Sequence, residues 1–164
     1  MIIFSVDPGS TDSGIVIVNS RTFEIIDSMK IENNLGIISL QVEEYYYRPA
    51  KGQFVIEAIQ PYGKKVGKEV FDTVEFIGAF IDRMGQKYNK WGITKINRRA
   101  VITHICEDAY GNDARIRAKL IERFGQEFTS KLKSDCWQSF ALATTYIDKE
   151  KAKKTQNIEQ TSKK

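Results

Sequence analysis

Two short apolar runs, each ending in an acid, constrain this chain more than any other feature. Ile2, Ile3, Phe4 and Val6 form the kind of stretch carried by a central strand with both faces covered, and Asp7 follows at its rim. Pro8 removes a backbone donor and Gly9 tolerates a positive φ, so the chain turns there, and Gly14 to Asn19 reads as a returning strand. Phe54, Val55 and Ile56 repeat the pattern and deliver Glu57 to a second strand end. If the two strands are parallel neighbours, the carboxylates meet at one edge of the sheet. Two such charges about 4 Å apart repel by roughly 4 kcal/mol at an effective dielectric of about 20, so a proton or a divalent cation is expected between them. An all-oxygen ligand set favours magnesium or manganese.

The 164 residues suffice for one domain burying about two-thirds of its unfolded surface. Cys106 and Cys136 form no C-x-x-C pair and His104 is the lone histidine, which leaves neither a disulfide framework nor a zinc site. There is no charged n-region, and no apolar stretch reaches the roughly 18 residues that span a bilayer, so a cytoplasmic location is expected. The net charge of +4 is unevenly spread: residues 1–50 carry 3 basic and 7 acidic side chains, and residues 51–100 carry 10 basic and 5 acidic ones. An acidic cluster beside a basic surface suits a polyanion whose phosphates approach a metal, and the plainer reading is a solvated, mixed-charge surface.

Thr22 to Ile31 reads as a third strand, followed by a turn and a helix from Ile37 to Tyr47. Strand Phe54 to Ala58 comes next. Val66, Val70, Val74, Ile77, Ile81, Met84 and Tyr88 then mark a long amphipathic helix lying on the sheet. Ala100 to Cys106 reads as the fifth strand. Asn112 or Asp113 can cap a helix that begins near Ala114, turns Ile116, Leu120 and Ile121 inward and ends at Gly125. A last helix is expected from Asp135 to Asp148, which closes a domain over residues 1–148, and residues 149–164 read as a Lys-rich disordered tail. The order βββαβαβαα is α/β: a five-stranded mixed sheet of three antiparallel and two parallel strands flanked by helices, the layout of the ribonuclease H-like fold.

Four segments in register carry a family resemblance. They are Ser5-Val6-Asp7-Pro8-Gly9-Ser10 through Gly14, then Val55-Ile56-Glu57, then Asn112-Asp113-Ala114-Arg115-Ile116-Arg117, and last Asp135 through Phe140-Ala141-Leu142-Ala143. Together they resemble the RuvC family of Holliday junction resolvases over roughly residues 1–147, in an arrangement similar to the versions carried by lactococcal bacteriophages. The resemblance implies a ribonuclease H-like fold, a homodimer, and a place in DNA recombination and repair inside a bacterial host cell. Its reaction is symmetric nicking of four-way DNA junctions, and other branched DNA, by metal-activated water with magnesium as cofactor. It also implies metal ligands at Asp7, Glu57 and Asp135. Where the family usually has a second aspartate one helical turn later, this chain has Gln138, which can bind an ion or orient its water but adds no charge. Basic helpers for the scissile phosphate fall at Arg115 and Arg117, with Lys119 behind them.

Several of these residues have a plainer role to weigh. Asp-Pro-Gly is a good turn whatever Asp7 does, and Glu57 alone could be a strand-end salt bridge. Asp135 with Gln138 also fits a capping box, unless Ser134 caps and leaves both on one helix face. Tyr62, just beyond Glu57, either stacks on a base, a contact worth about 1 to 3 kcal/mol, or packs on the surface. Lys64, Lys65 and Lys68 follow at once and suit a grip on phosphates. Tyr45 to Tyr47, His104 and the cysteines read as structural, and Glu107 and Asp108 as a solvated loop. Two rival functions remain: a junction-binding module with weak or lost catalysis, and a fragment of an actin-like or sugar-kinase ATPase. The first phosphate loop of those ATPases resembles Asp7-Pro8-Gly9-Ser10 with Gly14, but they need a second large domain.

Overall fold

The apolar runs of the sequence are the central strands of one sheet. A computed structural model describes residues 1–47, 51–60, 66–133 and 135–161. Strands β1 (Ile2–Pro8), β2 (Asp12–Asn19) and β3 (Ile25–Glu32) form an antiparallel meander and lead into helix α1 (Leu35–Tyr46). Strand β4 (Gly52–Ala58), helix α2 (Lys68–Lys87) and strand β5 (Gly92–Asn97) follow, and β1, β4 and β5 run parallel. Helices α3 (Arg98–Cys106), α4 (Asp113–Phe124), α5 (Gln126–Thr129) and α6 (Cys136–Thr161) complete the chain. The sheet order is β3-β2-β1-β4-β5, the expected mixed arrangement of three antiparallel and two parallel strands. Among the described residues no helix is long and apolar enough to cross a membrane.

Alternation along the strands divides the core in two. Phe4, Val6, Ile15, Ile17, Phe54 and Ile56 pack on one face against Ile38 and Val42 of α1 and Phe76, Phe80 and Met84 of α2. Ile3, Val16, Val18, Val55 and Ile96 pack on the other face against α3, α4 and α6. Ala141 and Ala143 are fully buried, and such small side chains let α6 lie close to the strands. Ser5 and Ser139 then exchange hydrogen bonds: each hydroxyl donates to the other's carbonyl, at 2.8 and 2.7 Å. Of the three tyrosines read as structural, Tyr45 is buried and Tyr46 packs on Tyr88 and Trp91, while Tyr47 is exposed.

Several expected elements sit differently. Ala100 to Cys106 is helical, and the fifth strand is Gly92–Asn97. The β-branched run Val101-Ile102-Thr103 reads as a strand by composition, but Asn97 caps the segment by accepting from the Ala100 amide at 2.8 Å, and Val101 and Ile105 are buried at helical spacing. β3 starts at Ile25, because Phe23 takes a left-handed φ of 63° in the turn before it. The buried stripe of α2 is Thr73, Phe76, Ile77, Phe80 and Met84, and Val74 is 49% exposed. Finally, α6 runs on to Thr161 through residues expected to be a disordered tail. Lys, Glu, Ala and Gln in that segment are strong helix formers, and Lys151 lies 4.0 Å from the ring centre of Phe23.

Asp148 ties α6 to α3 and α4. It accepts from Arg123 at 2.6 and 2.8 Å and lies 2.8 Å from Nε2 of His104. Burial would raise its carboxyl, but the hydrogen bonds from Arg123 and His104 outweigh that and hold it well below the usual carboxylate range. Its contribution is therefore present above the unfolded pKa of about 3.9 and is lost as pH falls further. Asp148→Asn is expected to lower unfolding free energy by about 2 kcal/mol at pH 7 and by progressively less below about pH 4, as read by urea titration. Equal stability of the two proteins at pH 7 would show that solvent screens the network.

Candidate functional site

Strand register places the acids. Ile3 and Ser5 of β1 point toward α6, so Asp7, next in the alternation, emerges on that face. Asp7 pairs with Gly14 of β2, and Gly14 pairs with Lys30 of β3. On its other side β1 runs parallel to β4 with Val6 opposite Ile56, which sets Asp7 beside Glu57 at the carboxyl ends of both strands. Lys30, Gly14, Asp7 and Glu57 thus form one row across the sheet.

Gly14 is the gap in that row. A Cβ built there would lie 2.7 Å from the carbonyl oxygen of Asp135 and 2.8 Å from its carbonyl carbon. Only glycine lets the backbone leading into α6 descend this far. The descent brings Asp135 over the row, where its Oδ2 meets Nζ of Lys30 at 2.9 Å. Gln138, one turn further along, has a buried Oε1 without a hydrogen-bond partner among the described residues.

Burial, and after it the charge of Glu57, push the Asp7 carboxyl up to about 8, with Asp135 and Asp113 adding to the rise and Arg98 opposing it. Burial also raises Glu57, against the charge and hydrogen bond of Arg98. Asp7 therefore keeps its proton at neutral pH until positive charge arrives.

Arg98 and Asp113 join the site without having been singled out for it in the sequence. Arg98 opens α3 immediately after β5; its Nη1 is 3.4 Å from Oε2 of Glu57, and its Nη2 contacts Oδ1 of Asp113. Asn112 does the capping of α4 by accepting from the Arg115 amide at 3.0 Å, which leaves the Asp113 carboxylate to meet Arg98. The signal was position: a basic residue directly after a strand parallel to that of Glu57. Assigning the fifth strand to Ala100 to Cys106 hid it.

The other basic candidates have partners outside the row. Arg115 donates to Asp108 at 2.6 Å, Arg117 lies 4.7 Å over the ring of Trp137, and Lys119 pairs with Glu122 at 2.8 Å. Lys68 is exposed in the first turn of α2. Tyr62, Lys64, Lys65 and Ser134 lie outside the described residues.

Among the described residues, no three acids, histidines or cysteines are gathered closely enough to hold an ion together. The expected metal set of Asp7, Glu57, Asp135 and Gln138 is instead a set of neighbours whose carboxylates are matched by side-chain cations, Lys30 on Asp135 and Arg98 on Glu57. The donors suit a hard cation in kind: they are all oxygen, two of the carboxyls are raised by burial, and the Gln138 oxygen is buried with no hydrogen-bond partner among the described residues.

No family model matches the chain, and no curated protein matches it in sequence, so nothing further supports the likeness to phage-borne versions. Among the solved structures similar to this chain are two of RuvC. The Thermus thermophilus RuvC structure is 14% identical over 88% of this chain and 92% of that chain, with a TM-score of 0.69. T. thermophilus RuvC in complex with a Holliday junction substrate is 15% identical over 88% of this chain and 91% of that one, with a TM-score of 0.61. At such identity the likeness establishes the architecture: this chain has the RuvC type of ribonuclease H-like fold.

Proposed function

We propose that the chain is a metal-dependent endonuclease that resolves four-way and other branched DNA junctions by symmetric nicking. One observation carries the reading: two partly buried carboxyls, Asp7 and Glu57, lie side by side at parallel strand ends, and a glycine in the adjacent strand lets a third, Asp135, descend on them. The fold that presents them is shared with a protein seen bound to a Holliday junction substrate.

Asp7, Glu57, Asp135 and the Gln138 oxygen would hold magnesium or manganese. When bound, such an ion supplies an activated water and stabilises charge on the leaving oxygen. The chain's own groups do the rest. Asp7, whose carboxyl is raised first by burial and then by Glu57, would release its proton when the charge of a bound cation offsets both. Arg115, Arg117 and Lys119 of α4, with Lys68 at the start of α2 and Tyr62, Lys64 and Lys65 before it, are the proposed contacts to backbone and bases. Two nicks at related positions call for two copies of the site, and the exposed Phe71 and Val74 on α2 support a homodimer.

A binding module without catalysis is the second reading, and the Lys30 pair with Asp135 and the neutral amide at Gln138 favour it. Gel assays on a four-way junction and a matched linear duplex, in magnesium and in manganese, decide between them. Paired nicks confined to the junction are expected. Junction binding without any cutting would leave the module.

A further inference from the structure

We propose that Arg98 is a positioning residue that stands in for a divalent cation among the acids, so that cation binding and release of Glu57 from Arg98 are a single exchange. The proposal rests on the nuclease reading above. Glu57 comes from a strand and Asp113 from the start of a helix, and the two carboxylates converge on one guanidinium. Glu57 is only 12% exposed, so water compensates its charge poorly, and the guanidinium of Arg98, 3.4 Å away, does so instead. Without that partner the acids of the row would face one another: Glu57, Asp135 and Asp113 all act on Asp7, and Asp113 acts on Glu57 as well.

The two side-chain cations of the site differ in how firmly they hold. Lys30 and Asp135 are 47% and 48% exposed, so solvent already competes for both ends of their pair. Arg98 is 33% exposed, reaches inward, and uses its planar fork to hold two acids at once. A guanidinium cannot shed its proton in this pH range, so it makes way for a second cation only by moving. A divalent ion brought to Glu57 would repel it. The chain offers an alternative hold, because Asp113 stands at the rim, 68% exposed, and retains Arg98 when Glu57 is taken.

The test is manganese binding to the full-length protein without DNA, measured by isothermal titration calorimetry for wild type, Arg98→Lys and Arg98→Gln. Removing the competing charge is expected to tighten manganese binding by about tenfold in Arg98→Gln. Arg98→Lys should fall between, since an ammonium is a point charge that cannot fork. The melting temperature of Arg98→Gln should drop in EDTA and recover on adding manganese by more than that of wild type. A purely structural role would loosen the site and weaken manganese binding. Affinity unchanged or weakened in both variants overturns the proposal and leaves the nuclease reading standing, and the milder Arg98→Lys decides alone if Arg98→Gln fails to fold. A wild-type protein that neither binds manganese nor cuts a junction removes both.

Discussion

Asp7→Asn is expected to lower junction cleavage by about a thousandfold, equivalent to roughly 4 kcal/mol of lost transition-state stabilisation, and also to make the cation-free protein more stable. Asparagine keeps the shape of the side chain and removes the charge, so both effects trace to one carboxylate. The sign of the stability effect follows from the direction of the shift. Burial and Glu57 raise the carboxyl to about 8, so the folded state holds a proton that the unfolded chain, with a pKa of about 3.9, has released. Stability contributed by the protonated form is complete below about pH 4 and declines as pH rises toward 8, because the unfolded chain gains by ionising and the folded one does not. Asp7→Asn escapes that decline. Its advantage in urea unfolding with EDTA should be near zero at pH 4, grow through pH 5.5, and reach on the order of 3 kcal/mol at pH 7. Adding manganese should narrow the gap, since the cation stabilises wild type and finds one ligand fewer in the variant. A variant less stable than wild type at every pH would show Asp7 to be a turn former with its own hydrogen bonds, and full cleavage would take it out of the reaction.

That juxtaposition of Asp7 and Glu57 is legible in the sequence because continuous apolar runs identify central strands and the ends of such strands are fixed by a turn or by the first acid. The same logic fails for β5. Gly92–Asn97 is an edge strand in which only Ile96 is buried, so it lacks the apolar signature of β1 and β4. The more apolar segment beside it, Val101 to Cys106, is a helix whose cap at Asn97 is invisible until the strand end is placed. Arg98 is lost with that boundary. Asp113 is hidden for a different reason: next to Asn112, either residue can cap α4, and only the hydrogen bond from Arg115 to Asn112 shows which one is left for another partner. The helical course of residues 149–161 depends on intrinsic propensity and on a preceding helix to extend, which a reading based on apolar content alone passes over.

Gly14→Ala is expected to destabilise the fold by about 2 kcal/mol and to reduce cleavage by roughly a hundredfold. Two effects oppose each other. Replacing glycine in a strand interior ordinarily stabilises by about 0.5 to 1 kcal/mol, because alanine has less chain entropy to lose. Here the added Cβ meets the Asp135 carbonyl at 2.7 and 2.8 Å, and these are backbone atoms that no rotamer change can move aside. Overpacking of that kind costs about 1 to 3 kcal/mol, so the steric effect wins. The strain is relieved only by lifting the start of α6, which carries Asp135 away from Asp7 and alters its pairing with Lys30. Displacement of about 1 Å at a reacting centre is enough for a hundredfold loss of rate. Gly78→Ala supplies the contrast in stability: that glycine lies in α2 with nothing within 4 Å of an added Cβ, so alanine should stabilise by up to about 1 kcal/mol where Gly14→Ala destabilises. Thermal unfolding of the two variants, side by side, separates a local steric block from the general effect of glycine, and junction nicking is read on Gly14→Ala. If Gly14→Ala cut as fast as wild type while losing the expected stability, the approach of Asp135 to the sheet would serve packing alone, and the third carboxylate would have to come from elsewhere in the site.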